Sequence, residues 1–257
     1  MKIATFNINS VRLRQSDLIE WMEKEAIDIA ALQETKVQDK DFPLAGFAAA
    51  GYQAVYIGEK GRNGVAIISK EKAGQVTFGL DGVGEKGEAR LIKAQFGGIA
   101  VINTYVPQGR APGTDYFRYK IAWLRGMRQY LEKHFTPAQQ VIWLGDLNVA
   151  MEAIDVYDPV KLTGEVGFHP DEQAALAYSK DWGFVDLFRK HVPEAGHYTF
   201  WDYRIANALE RGIGWRIDYI LATPPLAERS TGSCVAAGLR RKERPSDHAP
   251  LVAEFDL

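Results

Sequence analysis

The sequence contains a single cysteine, Cys234, among 257 residues. One thiol excludes an internal disulfide and a multi-cysteine zinc site, and such cysteine usage is typical of a reducing compartment. The N-terminal residues lack the apolar segment of a signal peptide, and no run of about 18 apolar residues could span a membrane. We therefore expect a cytoplasmic protein that does not enter a membrane.

The sequence also lacks a strong excess of charge of either sign. Lys and Arg number 31, and Asp and Glu number 33, which gives a net charge of -2. Bulk charge therefore does not draw this chain to nucleic acid, and any such contact has to be local. The basic candidates are Lys60 with Arg62, Arg110, and residues 240–244, which precede Asp247. Most basic runs are solvated loops, and contact with substrate is the alternative for residues 240–244.

A linker is absent as well, because no Pro/Gly/Ser-rich or low-complexity segment divides the chain. A chain of this length, with 46% hydrophobic residues, can bury one large core or two small ones. We predict one domain over residues 1–257, and a boundary near residues 111–113 is the alternative.

The sequence does contain many short apolar runs rich in β-branched residues, which predict strands. These runs cover residues 3–6, 27–32, 65–68, 91–96, 99–105, 141–144, 217–221 and 251–255. Asn63-Gly64 and Gly97-Gly98 lie between such runs and predict hairpin turns, because glycine tolerates the positive φ of those turns. Helical spacing predicts helices over residues 16–25, 116–135 and 171–182. Many strands with a few interleaved helices indicate an α+β layered sandwich.

Polar residues stand at the ends of several predicted strands, where functional side chains are usually placed. Asp146 and Asn148 follow the run that ends at residue 144. In an extended segment they point to the same side, where a carboxylate can accept a proton from water and an amide can donate to an oxyanion. The alternative is that both residues only cap a turn.

The tripeptide Ser246-Asp247-His248 precedes the last predicted strand. A histidine holds a phosphate oxygen when charged or accepts a proton when neutral, and an adjacent carboxylate fixes its tautomer. A satisfied core histidine is the alternative. Asp218 lies within an apolar run, so it needs a cation or an imidazole beside it, and an ion pair with Arg216 is the competing interpretation.

Glu34 closes another predicted strand, among oxygen-bearing side chains. Such a carboxylate suits Mg²⁺, which keeps several waters and takes one or two protein carboxylates. The alternatives are an acid at a helix start and an ion pair with a lysine. Asn7, Asn9 and Tyr105 also stand at strand ends and complete the candidate site.

These residues lie in short motifs whose order along the chain resembles the exonuclease III family of abasic-site endonucleases, within the endonuclease/exonuclease/phosphatase superfamily. The resemblance spans essentially residues 3–255. The motifs are Thr5-Phe6-Asn7-Ile8-Asn9, Leu32-Gln33-Glu34-Thr35-Lys36, Gly61-Arg62-Asn63-Gly64-Val65-Ala66, Asn103-Thr104-Tyr105-Val106-Pro107, Gly145-Asp146-Leu147-Asn148-Val149, Gly214-Trp215-Arg216-Ile217-Asp218-Tyr219 and Ser246-Asp247-His248.

The resemblance implies a four-layered α/β sandwich, with two packed mixed sheets flanked by helices and a site at one end of the sheets. It also implies that Glu34 ligates Mg²⁺, with Mn²⁺ as a substitute, and that Asn7 and Asp247 lie close to the metal. Asn9 is neutral where some family members carry an acid, which leaves the number of metals open.

The same resemblance implies catalytic roles. Asp146 would orient and deprotonate the attacking water, and Asn148 would hold both Asp146 and the phosphate. Tyr105 would donate to the phosphate. Asp218 would pair with His248, whose imidazole would contact the scissile phosphoryl oxygen.

Substrate binding is implied for Phe200, Trp215 and Ile217, which match the apolar pocket that accepts a sugar without its base. Plain core packing is the alternative for these side chains. Arg110 stands near the place of a DNA-inserting residue in some members of the family.

The activity implied by the resemblance is Mg²⁺-dependent hydrolysis of the phosphodiester 5′ to an abasic site in double-stranded DNA. A monomer is expected, with 3′→5′ exonuclease and 3′-end trimming as further activities. A nonspecific deoxyribonuclease or phosphoesterase of the same superfamily is one alternative. A catalytically inactive DNA-binding or scaffold protein is the alternative from another class.

Overall fold

The computed structural model describes residues 1–82 and 88–257. The strands in these residues are β1 (Lys2–Asn7), β2 (Ile29–Gln33), β3 (Gln53–Ile57), β4 (Val65–Ser69), β5 (Gly74–Phe78), β6 (Leu91–Phe96), β7 (Ile99–Tyr105), β8 (Val141–Asp146), β9 (Val185–Asp186), β10 (Asp218–Ala222), β11 (Ser230–Val235) and β12 (Leu251–Phe255). The helices are α1 (Val11–Lys24), α2 (Leu44–Ala49), α3 (Asp115–His134), α4 (Pro159–Leu162), α5 (Pro170–Lys180), α6 (Leu187–His191) and α7 (Pro224–Ala227). Short 3-10 helices cover Asp39–Asp41, Ala153–Asp155 and Ala237–Arg241.

The strands form two six-stranded sheets, in the orders β11-β12-β1-β2-β4-β3 and β5-β6-β7-β8-β10-β9. Both sheets are mixed. Strand β1 runs parallel to β2 and β7 runs parallel to β8, whereas β8 and β10 are antiparallel. Parallel neighbours need a crossover connection, which α1 and α3 provide. The ends of β1 and β2 therefore lie side by side, as do those of β7 and β8.

Strands at the centre of each sheet are buried on both faces. In β2, Ile29 and Ala31 pack between the sheets with Ile142 of β8, whereas Ala30 and Leu32 pack on the opposite face. This alternation is the period of two that a strand imposes on its side chains. Because both faces are covered, residues 29–32 of β2 are a continuous apolar run in the sequence.

Helices cover the outer face of each sheet. Leu18 and Met22 of α1 pack against the sheet that contains β2. Trp123 of α3 and Leu176 of α5 pack against Trp143 of β8 on the other sheet. The order of helix, sheet, sheet and helix is the four-layered α/β sandwich expected from the sequence. Within the described residues, no helix combines the length and the apolar character needed to cross a membrane.

Most of the predicted elements are present with their ends shifted by a few residues. Gly97-Gly98 forms the two-residue turn between β6 and β7. The hairpin turn predicted at Asn63-Gly64 is wrong, because these residues end a longer connection, residues 58–64, between β3 and β4. Strands β3, β5, β9 and β11 were not predicted, and each lies at the edge of a sheet.

Candidate active site

The candidate site lies where neighbouring strands end. In the β7–β8 pair Tyr105 stands opposite Asp146, and in the β8–β10 pair Asp146 stands opposite Asp218. In the other sheet Asn7 stands opposite Gln33, the residue before Glu34. The pairing of the strands, and not closeness in the sequence, therefore brings these side chains together.

His248 lies between two buried carboxylates. Its Nδ1–H donates to Asp218 Oδ2 at 2.8 Å, and its Nε2 lies 3.8 Å from Asp146 Oδ2. Burial lowers the pKa of His248, but the charges of Asp218 and Asp146 outweigh it and raise that pKa to about 10. The ring is therefore an imidazolium at neutral pH. The alternative ion pair of Asp218 with Arg216 is wrong, because Arg216 pairs with Asp155 and Asp186 instead.

Asp146 is buried and sits among other charged groups. Burial, with the charges of Asp218 and Glu34, raises its pKa to about 7, although His248 and a hydrogen bond from Asn7 oppose the increase. The Asn7 Nδ2–H donates to Asp146 Oδ2 at 2.9 Å. A carboxylate with a pKa close to neutral pH is suited to accept a proton from water.

Asn148 reaches the site in a different way from that expected. Its backbone has a φ of 54°, so Asn148 itself is left-handed and the segment after β8 is not extended through it. The Asn148 backbone N–H donates to Asp146 Oδ1 at 3.0 Å, which is the turn capping named as the alternative. Its Nδ2–H donates to the carbonyl oxygen of Val106 at 3.0 Å. Asn148 nevertheless lines the same cavity as Asp146.

Glu34 is the centre of a second polar network. Its Oε1 accepts from Asn7 Nδ2 at 2.8 Å, and its Oε2 lies 2.8 Å from Lys36 Nζ. The Asn9 Nδ2–H donates to Asp247 Oδ1 at 3.0 Å, and Lys36 Nζ donates to Asn9 Oδ1 at 2.6 Å. Burial raises the pKa of Glu34, but Asn7 and Lys36 outweigh it and hold that pKa below its usual value. Glu34 is therefore ionised at neutral pH.

Two groups of side chains could hold a metal ion. The ligand atoms of Asp146, Asp218 and His248 lie within 4.8 Å of one another, so the described chain has a compact set of potential metal ligands. The imidazolium of His248 already lies between those two carboxylates, and its positive charge opposes a cation there. The oxygen atoms of Glu34 and Asp247 are the hard donors that divalent cations such as Mg²⁺ or Ca²⁺ prefer. Lys36 also places an ammonium 2.8 Å from Glu34 Oε2, so the Glu34 network fits a hard cation by its oxygen donors and not by a lack of positive charge.

A cavity of about 540 Å³ opens beside these groups. Phe200, Trp215 and Ile217 line it, and the Phe200 ring lies 4.9 Å from the His248 ring. Gly167 also lines the cavity, and a Cβ added there would lie 3.4 Å from the Trp215 ring. The apolar side chains named from the sequence therefore form one wall of the cavity that contains Asp146.

The basic side chains named from the sequence lie elsewhere. The Arg110 guanidinium stacks on the Tyr116 ring at 3.6 Å, and Arg110 is not among the described residues that line the cavity. Arg240 is half-buried, and its Nη1–H donates to the carbonyl oxygen of Ser246 at 2.6 Å. The expectation of a solvated loop is therefore wrong for Arg240, which supports the backbone beside Asp247.

Comparison with known proteins places the chain in a family. Residues 4–248 match the model of the Endonuclease/Exonuclease/phosphatase family. The chain belongs to this family. The resemblance that the sequence motifs indicated is thereby confirmed.

Three similar proteins are matched over their full length. Exodeoxyribonuclease III of Haemophilus influenzae is 35% identical over 267 residues, with 99% of this chain and 100% of the relative covered. The solved structure of an AP endonuclease from Archaeoglobus fulgidus has 48% identity and a TM-score of 0.96, with 100% of each chain covered. A 3′-5′ exonuclease from Neisseria meningitidis has 35% identity and a TM-score of 0.96, again with 100% of each chain covered.

One side chain that supports this site was not predicted, and another was named only as an alternative. Lys36 Nζ lies 2.8 Å from Glu34 Oε2, which is the ion pair with a lysine named as the alternative for Glu34. Thr199 Oγ1 accepts from the backbone N–H groups of Ile217 and Asp218 at 3.1 and 3.2 Å. A threonine beside Phe200 carries no distinguishing pattern, so only the folded chain reveals that it fixes the start of β10.

Proposed function

We propose that this protein is a Mg²⁺-dependent DNA repair nuclease that hydrolyses the phosphodiester 5′ to an abasic site and leaves a 3′-hydroxyl. The observation that carries the proposal is the buried Asp146–His248–Asp218 group at the edge of a cavity walled by Phe200 and Trp215. The 48% identity to an AP endonuclease of the same fold supports it.

The buried group divides the chemistry among its members. Asp146 accepts a proton from the attacking water, because its pKa lies near neutral pH. His248 presents a positive ring to a phosphoryl oxygen, and Asp218 fixes that ring by accepting its Nδ1–H. Tyr105 and Asn148 line the same cavity and can donate hydrogen bonds to the phosphate.

The metal is proposed to lie at Glu34, with Asp247 and Asn7 beside it. Bound Mg²⁺, or Mn²⁺ in its place, would supply a Lewis acid for the charge that develops on the phosphate. Asn7 connects this site to the base, because its amide donates both to Glu34 at 2.8 Å and to Asp146 at 2.9 Å. The two carboxylates are thereby held at a fixed separation.

Selection of the substrate is assigned to the apolar wall. A sugar without its base is small and can turn out of the duplex at a low cost in stacking. Phe200, Trp215 and Ile217 offer a surface without charge for such a sugar. A normal nucleotide is larger, and we expect the same wall to exclude it.

A second activity, 3′→5′ exonuclease with 3′-end trimming, is proposed for the same site. Its support is the likeness to exodeoxyribonuclease III and to a 3′-5′ exonuclease. Three expectations stay predictions: residues 1–257 form one catalytic domain, the protein is a monomer, and it is cytoplasmic. So does a DNA contact by Arg110.

One assay tests the proposal. Matched duplexes carrying an abasic analogue, a normal pair or a 3′-blocked nick are incubated with the protein, with and without Mg²⁺. Asp146→Asn should lose at least about 10²-fold in single-turnover rate with duplex binding near normal. Asp115→Asn, which alters an exposed acid at the start of α3, is the control and should cleave at the wild-type rate.

The outcomes separate the rival functions. A nonspecific deoxyribonuclease would cut the normal duplex as fast as the abasic one. A catalytically inactive DNA-binding protein would bind the duplex and leave it intact with every metal. Either result would remove the abasic-site endonuclease from the proposal.

A further inference from the structure

Helices α3 and α5 meet in an ion pair that is fully removed from solvent. Lys120 Nζ contacts Glu172 Oε1, and both side chains have 0% exposure. Two charges leave water at a high cost unless their remaining protons and lone pairs are satisfied. The partners of this pair therefore indicate what it does, and the chemistry described above does not use it.

The lysine reaches two loops of the candidate site. Lys120 Nζ donates to the carbonyl oxygen of Asn148 at 2.6 Å and to that of Gln108 at 3.3 Å. These residues follow β8 and β7 and line the cavity. An ammonium has three protons, and each of them has a partner here. Lys120 thus connects α3 to both loops.

The glutamate reaches a third loop. Glu172 Oε2 accepts from the backbone N–H of Gly167 at 2.7 Å and from that of His169 at 3.3 Å. Gly167 lies against the Trp215 ring, and its carbonyl oxygen accepts from Ala150 at 2.7 Å. Glu172 therefore holds the part of the cavity wall that faces Trp215.

Each held segment contains a residue with a left-handed backbone conformation. Asn148 has a φ of 54° and Gly167 a φ of 90°, both in the left-handed region that non-glycine residues rarely adopt. Hydrogen bonds to ionised groups are about twice as strong as neutral ones. A charged pair can therefore fix two loops more firmly than two neutral side chains can.

We propose that Lys120 and Glu172 are positioning residues that hold Asn148 and Gly167 in place and so set the shape of the abasic-site cavity. The expected effect on catalysis rests on the proposed function, whereas the hold of the pair on the two loops does not. A misplacement of about 1 Å at a reacting site can cost on the order of 10²-fold in rate. Loss of the pair should therefore impair catalysis even if the fold survives.

The test removes both charges at once. A single change such as Lys120→Met leaves a buried carboxylate unpaired and could prevent folding, whereas Lys120→Met/Glu172→Leu replaces the pair by apolar side chains, which is often neutral for stability. We expect the double variant to keep its melting temperature within a few degrees. Its kcat/KM on abasic duplex should fall by about 10²-fold. Amide hydrogen exchange at residues 147–150 and 165–169 should become faster in the protein without DNA.

The matched control is Arg128→Met, on the same helix. Arg128 also joins α3 to α5, through a hydrogen bond of 2.9 Å to the carbonyl oxygen of Tyr178, and Tyr178 does not line the cavity among the described residues. This variant should keep the wild-type kcat/KM and the wild-type exchange at both segments. The milder Glu172→Gln keeps the side-chain shape and one acceptor, and it should give an intermediate loss of kcat/KM.

Two results would overturn the inference. The first is amide exchange at residues 147–150 and 165–169 that stays at the wild-type rate in the double variant, which would show that the pair does not hold these loops. If the double variant does not fold, the same measurement is made on Glu172→Gln. A folded variant with the wild-type kcat/KM shows that the pair is structural only. If wild-type protein does not cleave the abasic duplex at all, the proposed function fails, and the exchange measurement alone decides the inference.

Discussion

Replacement of Trp215 by alanine separates an abasic-site pocket from ordinary core packing. Trp215 is half-buried and lines the cavity. Its backbone N–H donates to Phe200 and its carbonyl oxygen accepts from Phe200, both at 2.9 Å. These main-chain bonds do not depend on the indole, so the change removes the ring and leaves the bridge between the two segments.

The expected magnitude follows from the size of one pocket contact. A missing contact in an apolar pocket is worth about 1–3 kcal/mol, or roughly 10–200-fold in discrimination. Incision at abasic sites should fall, while cleavage at undamaged positions should stay level or rise, because a wider cavity admits an ordinary nucleotide. The ratio of the two rates should therefore shrink by that factor.

The measurement uses both duplexes and a thermal melt on one preparation. A purely structural tryptophan would instead cost about 3–5 kcal/mol of stability, with both activities declining together. Trp182→Ala is the control, since Trp182 is buried in the layer between α3, α5 and β8 and is not among the described cavity-lining residues. An unchanged ratio in folded Trp215→Ala protein would refute the pocket.

Three further predictions concern the charged groups. His248→Ala and Asp218→Asn should each lower the single-turnover rate by about 10²-fold. The double variant should lose little more, because the two residues act as one unit, and rate losses that multiply would contradict this. Excess EDTA should abolish cleavage and Mg²⁺ should restore it, with Glu34→Gln needing more Mg²⁺ than wild type; full activity in EDTA would remove the metal. Burial raises the pKa of Asp155, but the charge of Arg216 outweighs burial, and the pKa is lowered. The ionised carboxylate of Asp155 therefore stabilises the fold at any pH above its unfolded pKa of about 3.9. This stabilisation is lost as the pH falls through the pKa of the folded state. Asp155→Asn should therefore lose about 3–5 kcal/mol at neutral pH and less in acid, as measured by urea unfolding; an equal loss at both would contradict the linkage.

The sequence predicts the central strands well and the edge strands poorly, for a physical reason. Central strands such as β2 are covered on both faces, so all residues of β2 except the last, Gln33, are apolar and the run is obvious. The edge strand β5, Gly74–Phe78, is largely exposed, with one half-buried residue. Its side chains are not required to alternate in polarity. All of the missed strands are edge strands, where burial imposes little pattern.

Some residues of the candidate site could likewise be predicted from the sequence, and others could not. A carboxylate at the end of an apolar run, such as Asp146, is visible in the sequence because the run itself fixes where the strand ends. The residues around Asp218 do not by themselves identify its partner, because Arg216 lies two residues away and His248 thirty; His248 was named through the resemblance to the exonuclease III family. Lys120 did offer a signal: it falls on the apolar face of α3, with Phe117 and Leu124 one turn away on either side. A lysine on such a face needs a buried partner, but the sequence does not name Glu172.

The balance of charge gives one reason for the site to need a cation. Four carboxyl groups meet at these strand ends and are faced by two cationic side chains; they are Glu34, Asp146, Asp218 and Asp247, with His248 and Lys36 opposite. Such a site carries net negative charge when its acids are ionised, and a phosphodiester brings more. Like charges in a buried setting repel strongly. A hard divalent cation at Glu34 would reverse that repulsion, which is why the loss of Mg²⁺ should weaken the binding of substrate as well as its cleavage. Equal affinity for abasic duplex in EDTA and in Mg²⁺, measured with Asp146→Asn to prevent turnover, would contradict this argument.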